Sequence, residues 1–232
     1  MQKRIIAIGG GEIKNKTTLE IDRYISSLAK QHAGENRATA LFIGTASHDS
    51  MPYFNSFRKT YTSVFDIKAE VALVVYGEMD VNRIAEKIDK ADCIYIGGGD
   101  TLFMLEKWKA LGLDKLIIDA YNKGKIICGL SAGAICWFKD MYTDYEIMRG
   151  ESADYVLKKG LGILDGCMCP HFDDREKDFL LALKEGDIKS CYCVENNCAI
   201  EFVDGVFTKS ISSGGKAYYI TYDGKEIAKR EI

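Results

Sequence analysis

Over its first 135 positions the chain sets short, nearly continuous apolar runs between longer amphipathic stretches. Arg4-Ile5-Ile6-Ala7-Ile8, Thr39-Ala40-Leu41-Phe42-Ile43, Glu70 to Tyr76, Asp92-Cys93-Ile94-Tyr95-Ile96 and Lys125 to Leu130 read as strands of the kind buried on both faces. Thr17 to Gln31 has helical spacing, with Leu19, Ile21, Tyr24, Ile25 and Leu28 on one stripe. Tyr53 to Phe65, Val81 to Lys90, Thr101 to Leu111 and Leu116 to Lys123 read as further helices. Strands alternating with amphipathic helices predict an α/β fold: a mostly parallel, doubly wound sheet with helices on both faces. Strands end in small residues at Gly9-Gly10-Gly11, at Gly97-Gly98-Gly99 and at Gly129-Leu130-Ser131-Ala132-Gly133. Ligands of open α/β sheets bind at the carboxyl ends of the strands, so these turns are expected to share one rim.

Beyond the last of these turns the pattern changes. Tyr142 to Tyr155 is polar and irregular, Leu161 to Leu164 leads into Cys167-Met168-Cys169-Pro170-His171-Phe172, and Asp174 to Lys184 reads as a helix. Ser190 to Val194, Cys198 to Phe202, Val206 to Ser210 and Lys216 to Thr221 read as short strands, making the C-terminal third β-rich. No repeat or low-complexity linker interrupts the chain, and 232 residues suit one domain, 1–232.

Gly129-x-Ser131-x-Gly133 fits the nucleophile elbow, a strained strand-to-helix turn that exposes a serine hydroxyl. The same letters also describe an ordinary tight connection, so the rest of the chain has to supply a base. Of the three histidines, His32 ends an exposed helix and is expected to be solvated, and His48 lies in a polar loop. His171 follows Pro170, where a strand would deliver it to the rim, and is the preferred general base. A base needs an orienting acceptor. Asp173 and Asp174 are too near in sequence to turn back onto the ring and read as helix N-terminal residues. Glu201 sits in a strand-like run and faces solvent on this reading; Glu195, at a strand end, is the best geometric choice.

The set Ile96-Gly97-Gly98-Gly99-Asp100-Thr101, Gly129-Leu130-Ser131-Ala132-Gly133-Ala134, Pro170-His171-Phe172 with Arg175, and Glu195-Asn196 resembles the peptidase E family, which includes α-aspartyl dipeptidases and cyanophycinases. The resemblance implies a fold like that of the class I glutamine amidotransferases, with Ser131 as nucleophile, His171 as base and Glu195 as the third member. It implies an oxyanion hole from the amides of Ala132 and of Gly98 or Gly99. It also implies a preference for an acidic (Asp) residue at the cleaved bond, held by Arg175 with Asp100 as a second substrate-binding residue. Peptidase E proper carries further basic residues after the histidine, where this chain has Glu176, Lys177 and Asp178.

Net charge is -3 with both signs mixed, so no basic stripe marks a nucleic-acid partner. No apolar run is long enough to span a bilayer, and no signal peptide is evident, so a cytoplasmic enzyme is expected. Its expected partner is a small peptide substrate, with no cofactor, as a monomer or homodimer. Two other readings stand beside this one: a catalytically inactive member, and a nucleotide- or small-molecule-binding protein using Gly9-Gly10-Gly11. The second lacks a complete G-x-G-x-x-G, because Lys14 occupies the last glycine's place, and there is no P-loop.

Eight cysteines are expected to be reduced. Cys167-x-Cys169, Cys191-x-Cys193 and Cys198 could in principle hold zinc, but the usual ligand spacing is C-x₂₋₄-C, and buried thiols on two strands are the simpler reading. Metal analysis of the purified protein is therefore expected to find no stoichiometric zinc; one zinc per chain on these thiols would overturn it.

Overall fold

The structure is a computed structural model that describes residues 2–76, 79–186 and 188–232. The chain first alternates β1 (Arg4–Ile8), α1 (Leu19–Ala33), β2 (Thr39–Ile43), α2 (Met51–Ser63), β3 (Lys68–Ala72), α3 (Val81–Lys90), β4 (Cys93–Ile96), α4 (Thr101–Leu111), α5 (Leu113–Asn122) and β5 (Ile126–Leu130). Next come α6 (Ala132–Ile135), β6 (Phe138–Thr143), α7 (Tyr145–Arg149), β7 (Val156–Lys159), β8 (Leu164–Pro170) and α8 (Phe172–Glu185). The chain closes with β9 (Ser190–Val194), β10 (Cys198–Val203), β11 (Val206–Ser212), β12 (Ala217–Tyr222) and β13 (Ile227–Glu231).

Among the described residues the strands form two mixed sheets rather than the one sheet expected. The first has the order β11-β10-β1-β5-β4-β2-β3, the second β13-β12-β9-β8-β6-β7. In the first, β1, β5, β4, β2 and β3 pair in parallel, and β10 and β11 add on antiparallel beside β1. The central strands β4 and β5 are buried at every residue, which is why they read as unbroken apolar runs. Side-chain alternation sends Ile5 and Ala7 into one core cluster with Trp108 and Trp137, and Ile6 and Ile8 into another with Phe42, Phe57 and Tyr61. In the second sheet, β6, β8 and β9 run parallel, and α8 packs Phe172, Phe179 and Leu183 against the thiols of Cys167, Cys169, Cys191 and Cys193. All eight cysteines are free and buried.

Three strands escaped the sequence reading. β6 runs into the start of the irregular stretch Tyr142 to Tyr155, β7 follows directly after it, and β13 lies beyond the last strand expected. β7 and β13 are sheet edges with few buried residues, so they carry no apolar signal, and lysines on them suit an exposed edge. Glu201 is also corrected. On β10 it is buried, accepting from Arg4 Nη1 at 2.5 Å, Tyr24 Oη at 2.8 Å and Thr208 Oγ1 at 2.9 Å. No helix among the described residues is long and apolar enough to cross a membrane.

The β5–α6 turn explains its glycines by close approach. A Cβ on Gly129 would lie 2.1 Å from the carbonyl oxygen of Gly133, and one on Gly133 would lie 2.3 Å from that of Ile96. Both obstacles are backbone, so neither can swing aside. The Trp137 indole completes the packing by donating to Gly133 O at 2.9 Å. Gly133→Ala is expected to lower the unfolding free energy by about 1–3 kcal/mol, the usual cost of overpacking, in urea titration; a stability equal to wild type would show that the β4–α6 contact can relax.

Candidate active site

β8 and β9 are parallel and in register to their last residues, with Pro170 opposite Val194. The segments beyond them leave the second sheet side by side. His171 is the N-cap of α8, and Glu195 and Asn196 enter the turn before β10. From the first sheet, β5 delivers Ser131, whose amide donates to Ile8 O at 2.9 Å and so prolongs the β1–β5 ladder. These placements bring His171 Nε2 to 2.6 Å from Ser131 Oγ. Both residues take positive φ: 53° at Ser131 and 143° at His171. Such conformations cost about 1–3 kcal/mol each outside glycine and persist where the surroundings impose them, often at functional sites.

The ring's other nitrogen meets a residue the sequence reading did not choose. His171 Nδ1 lies 3.0 Å from Asn196 Oδ1. Glu195, expected there, turns away. Its carboxylate accepts from Lys216 N at 2.8 Å and from Tyr218 Oη at 3.2 Å. Adjacent side chains at the end of an extended strand point to opposite sides, so Glu195 faces β12 and Asn196 faces the histidine. Asn196 is held in turn: its backbone amide donates to Asp173 Oδ1 at 2.9 Å, and its Nδ2 to Asp173 Oδ2 at 3.0 Å and Asp174 Oδ2 at 2.8 Å. Asp173 and Asp174 thus avoid the ring, as expected, but take hold of its partner. The Gly9-Gly10-Gly11 turn has a steric role here. A Cβ on Gly10 would fall 2.1 Å from Asn196 Oδ1 and 2.4 Å from His171 Nδ1.

The Gly97–Gly99 turn does share the rim. A Cβ on Gly98 would lie 3.4 Å from that of Ser131 and 3.2 Å from Leu130 O. Gly98 N is 3.5 Å from Tyr53 Oη, a long contact, and burial pushes the Tyr53 phenol up to about 12, so it stays protonated. Gly99, at φ 138°, and Ala132 have no turn or ladder acceptor for their amides among the described residues. Ser131 and His171 open onto a cavity of about 730 Å³ walled also by Ile13, Tyr53, Leu130 and Met148, with Glu12, Lys14 and Asp144 as its charged residues.

Two expected substrate-binding residues are otherwise engaged. Arg175 is buried on α8; its Nη2 donates to Asp144 Oδ2 at 2.7 Å and its guanidinium lies over the Tyr155 ring at 4.8 Å. It backs Asp144, which lines the cavity, and is not itself on the wall. Asp100 caps α4 by accepting from Phe103 N at 2.9 Å, and pairs with Arg149 Nε of α7 at 2.6 Å. The other histidines lie apart. His32 Nδ1 is 2.8 Å from Asp92 Oδ1, a hydrogen-bonding contact rather than the solvated helix end expected, and His48 packs on Phe103. Burial, with the Arg175 charge nearby, holds His171 below its ordinary pKa; the Asn196 bond and the Asp144 and Asp174 charges offset this in part. Asn196, Asp144 and Tyr53 were missed. Asn196 carried a signal, since it stands beside Glu195 at the same strand end, whereas Asp144 and Tyr53 reach the site only through the fold.

The chain is 31% identical over 233 residues to YgaJ of Bacillus subtilis (strain 168), described as an uncharacterized peptidase, covering 98% of this chain and 96% of that protein. In fold it is similar to a crystal structure of a peptidase from an acI-B1 Actinobacterium, with a TM-score of 0.70 at 17% identity, covering 100% of this chain and 97% of that one. It is similar also to a candidate peptidase E protein from Listeria monocytogenes EGD-e, with a TM-score of 0.63 at 21% identity and both chains wholly covered. The family model described as Peptidase family S51 matches residues 5–210. With nearly its whole length matched, the chain belongs to peptidase family S51.

Proposed function

We propose that this protein is a serine peptidase that cleaves short peptides through an acyl-enzyme, with Ser131 as nucleophile, His171 as general base and Asn196 as the residue that orients the ring. The observation that carries the reading is the 2.6 Å contact between Ser131 Oγ and His171 Nε2, both of which line the cavity. With Nδ1–H donated to Asn196 Oδ1, Nε2 has a lone pair for the serine proton. Attack on a peptide carbonyl forms the Ser131 ester bond to carbon and moves the carbonyl electrons onto oxygen. The amides of Ala132 and of Gly98 or Gly99, on turns next to Ser131, are the donors assigned to that oxyanion on this reading. Collapse expels the amine, which takes its proton from His171, and water then hydrolyses the ester with His171 again as base. An amide in the third place has a parallel in the Cys-His-Asn arrangement of papain-like proteases.

The cavity volume suits a peptide of a few residues. The acidic preference implied by the resemblance has lost its expected carrier, because Arg175 is committed to Asp144. Lys14 is the cation on the wall, set against the carboxylates of Glu12 and Asp144, and a mainly apolar lining surrounds them.

Ser131→Ala is expected to lower kcat on short peptides by about 10⁴–10⁶ and to abolish labelling by a fluorophosphonate, with an unchanged unfolding transition. Activity within tenfold of wild type would sink the assignment. The pH profile is set by the depressed His171. A lowered pKa keeps the imidazole neutral further into acid, so activity is lost only as pH falls through that lowered value. The acid limb of kcat/KM is expected to have its midpoint below 6.5, the ordinary value; a midpoint above it would mean that another group is titrating.

A further inference from the structure

The side chain of Asn196 presents one acceptor and two donors in nearly the same shape, and only one of its two orientations serves a general base. With Oδ1 toward His171, the ring carries its proton on Nδ1 and offers the Nε2 lone pair to Ser131. Rotated by half a turn, the amide would offer Nδ2–H to Nδ1. Nδ1 would then have to accept, Nε2 would carry the proton, and that proton would point at Ser131 Oγ. In that tautomer the ring cannot take the serine's proton.

A carboxylate in the third place has no such problem, because both of its oxygens accept. An amide needs something to set its direction, and the structure provides it. Both Nδ2 hydrogens are taken by carboxylates, Asp173 Oδ2 at 3.0 Å and Asp174 Oδ2 at 2.8 Å, while Asp173 Oδ1 takes the Asn196 backbone amide at 2.9 Å. The rotated amide would set Oδ1 against two carboxylate oxygens, with no proton between them. The clamp is built on the base's own helix. His171 is the N-cap of α8, Asp173 and Asp174 stand in its first turn, and Asp174 N donates to His171 O at 3.0 Å. One rigid turn therefore carries both the histidine and the groups that direct its partner. Gly10 closes the far side, leaving no room for a Cβ against the His171–Asn196 contact.

We propose that Asp173 and Asp174 are positioning residues that lock the Asn196 amide with its oxygen toward His171, and so hold the base in the tautomer that accepts the serine proton. The proposal rests on the serine-peptidase reading above. The two negative charges behind the amide also polarise it toward the imidazolium that forms when His171 takes the proton. In ordinary use acids in a first helical turn stabilise the helix and nothing more, so the test has to separate these roles.

Two measurements do so. The first is independent of substrate: long-range ¹H–¹⁵N correlation spectra of the histidine-labelled protein report the tautomer of each of its three histidines. The wild type is expected to show His171 protonated on Nδ1, and Asp173→Asn/Asp174→Asn a mixture of both tautomers. Protonation on Nε2 in the wild type, or no change in the variant, overturns the proposal whatever the protein hydrolyses. The second is a cycle in kcat. In the Asn196 background, Asp173→Asn/Asp174→Asn is expected to lower kcat by about tenfold to a hundredfold, as when an outer hydrogen-bond partner of a functional histidine is removed, with KM unchanged. In an Asn196→Asp background, the same pair of changes is expected to raise kcat, because it replaces two repelling carboxylates with amide donors to the new one. An equal fall in both backgrounds, following a fall in the unfolding midpoint, would make the two aspartates helix caps only. If a double variant fails to fold, the single changes Asp173→Asn and Asp174→Asn are read in the same two ways. Failure of the serine-peptidase reading shows separately, as turnover that survives Ser131→Ala.

Discussion

The site depends on a close approach of bare backbone at the end of β1. A Cβ on Gly9 would lie 2.4 Å from Val194 O and 2.5 Å from Glu195 O, and one on Gly10 would strike both His171 and Asn196. Around this point the chain stitches three strand ends together. Ile8 O receives the amide of Ser131, Gly9 N donates to Cys198 O, and Gly10 O receives the amide of Asn197. Ser131 comes from the first sheet and His171 from the second. Only where β1 meets the end of β9 with no side chains between them can the two sheets come near enough for the pair to touch. The Gly-rich turn that could have been a phosphate loop is instead the place where the sheets meet.

That meeting is costly in conformation, and the surrounding hydrogen bonds keep it in place. Ser131 and His171 both take positive φ. Ser131 is fixed by its amide on β1 and by its carbonyl, which accepts from Ala134 N and Ile135 N at 2.9 Å each. His171 is fixed between β8 and α8, whose Phe172 and Phe179 are fully buried. The strain therefore sits where hydrogen bonds and buried aromatic side chains hold the backbone on both sides of the Ser131–His171 contact.

Electrostatically the site divides into an imidazole whose charged form is disfavoured and charges kept at a distance. Burial and the Arg175 guanidinium disfavour the imidazolium, while Asn196 presents a neutral oxygen to the ring. The negative charges act one step removed, Asp173 and Asp174 through the amide and Asp144 from the cavity wall with Arg175 behind it. An arginine four residues after His171 could have read a substrate carboxylate. Its burial against Tyr155 and its bond to Asp144 make it a support for the wall instead.

By itself the sequence determined the features that arise from hydrophobic period and local sterics. Unbroken apolar runs such as Cys93–Ile96 and Ile126–Leu130 mark strands buried on both faces, and Gly129-x-Ser131-x-Gly133 marks a turn too tight for side chains. The delivery of His171 to the rim also lay in the sequence, because it stands just past the end of a strand. Tertiary structure alone decided the rest. Edge strands such as β13 bury too little to leave a pattern, so the second sheet could not be told from an extension of the first. Glu195 and Asn196 are neighbours in sequence, and which of them meets His171 depends on the register of β8 against β9 and of β9 against β12. The pairing of Arg175 with Asp144, 31 residues away, is likewise a product of packing between α8 and the end of β6, and no local pattern encodes it.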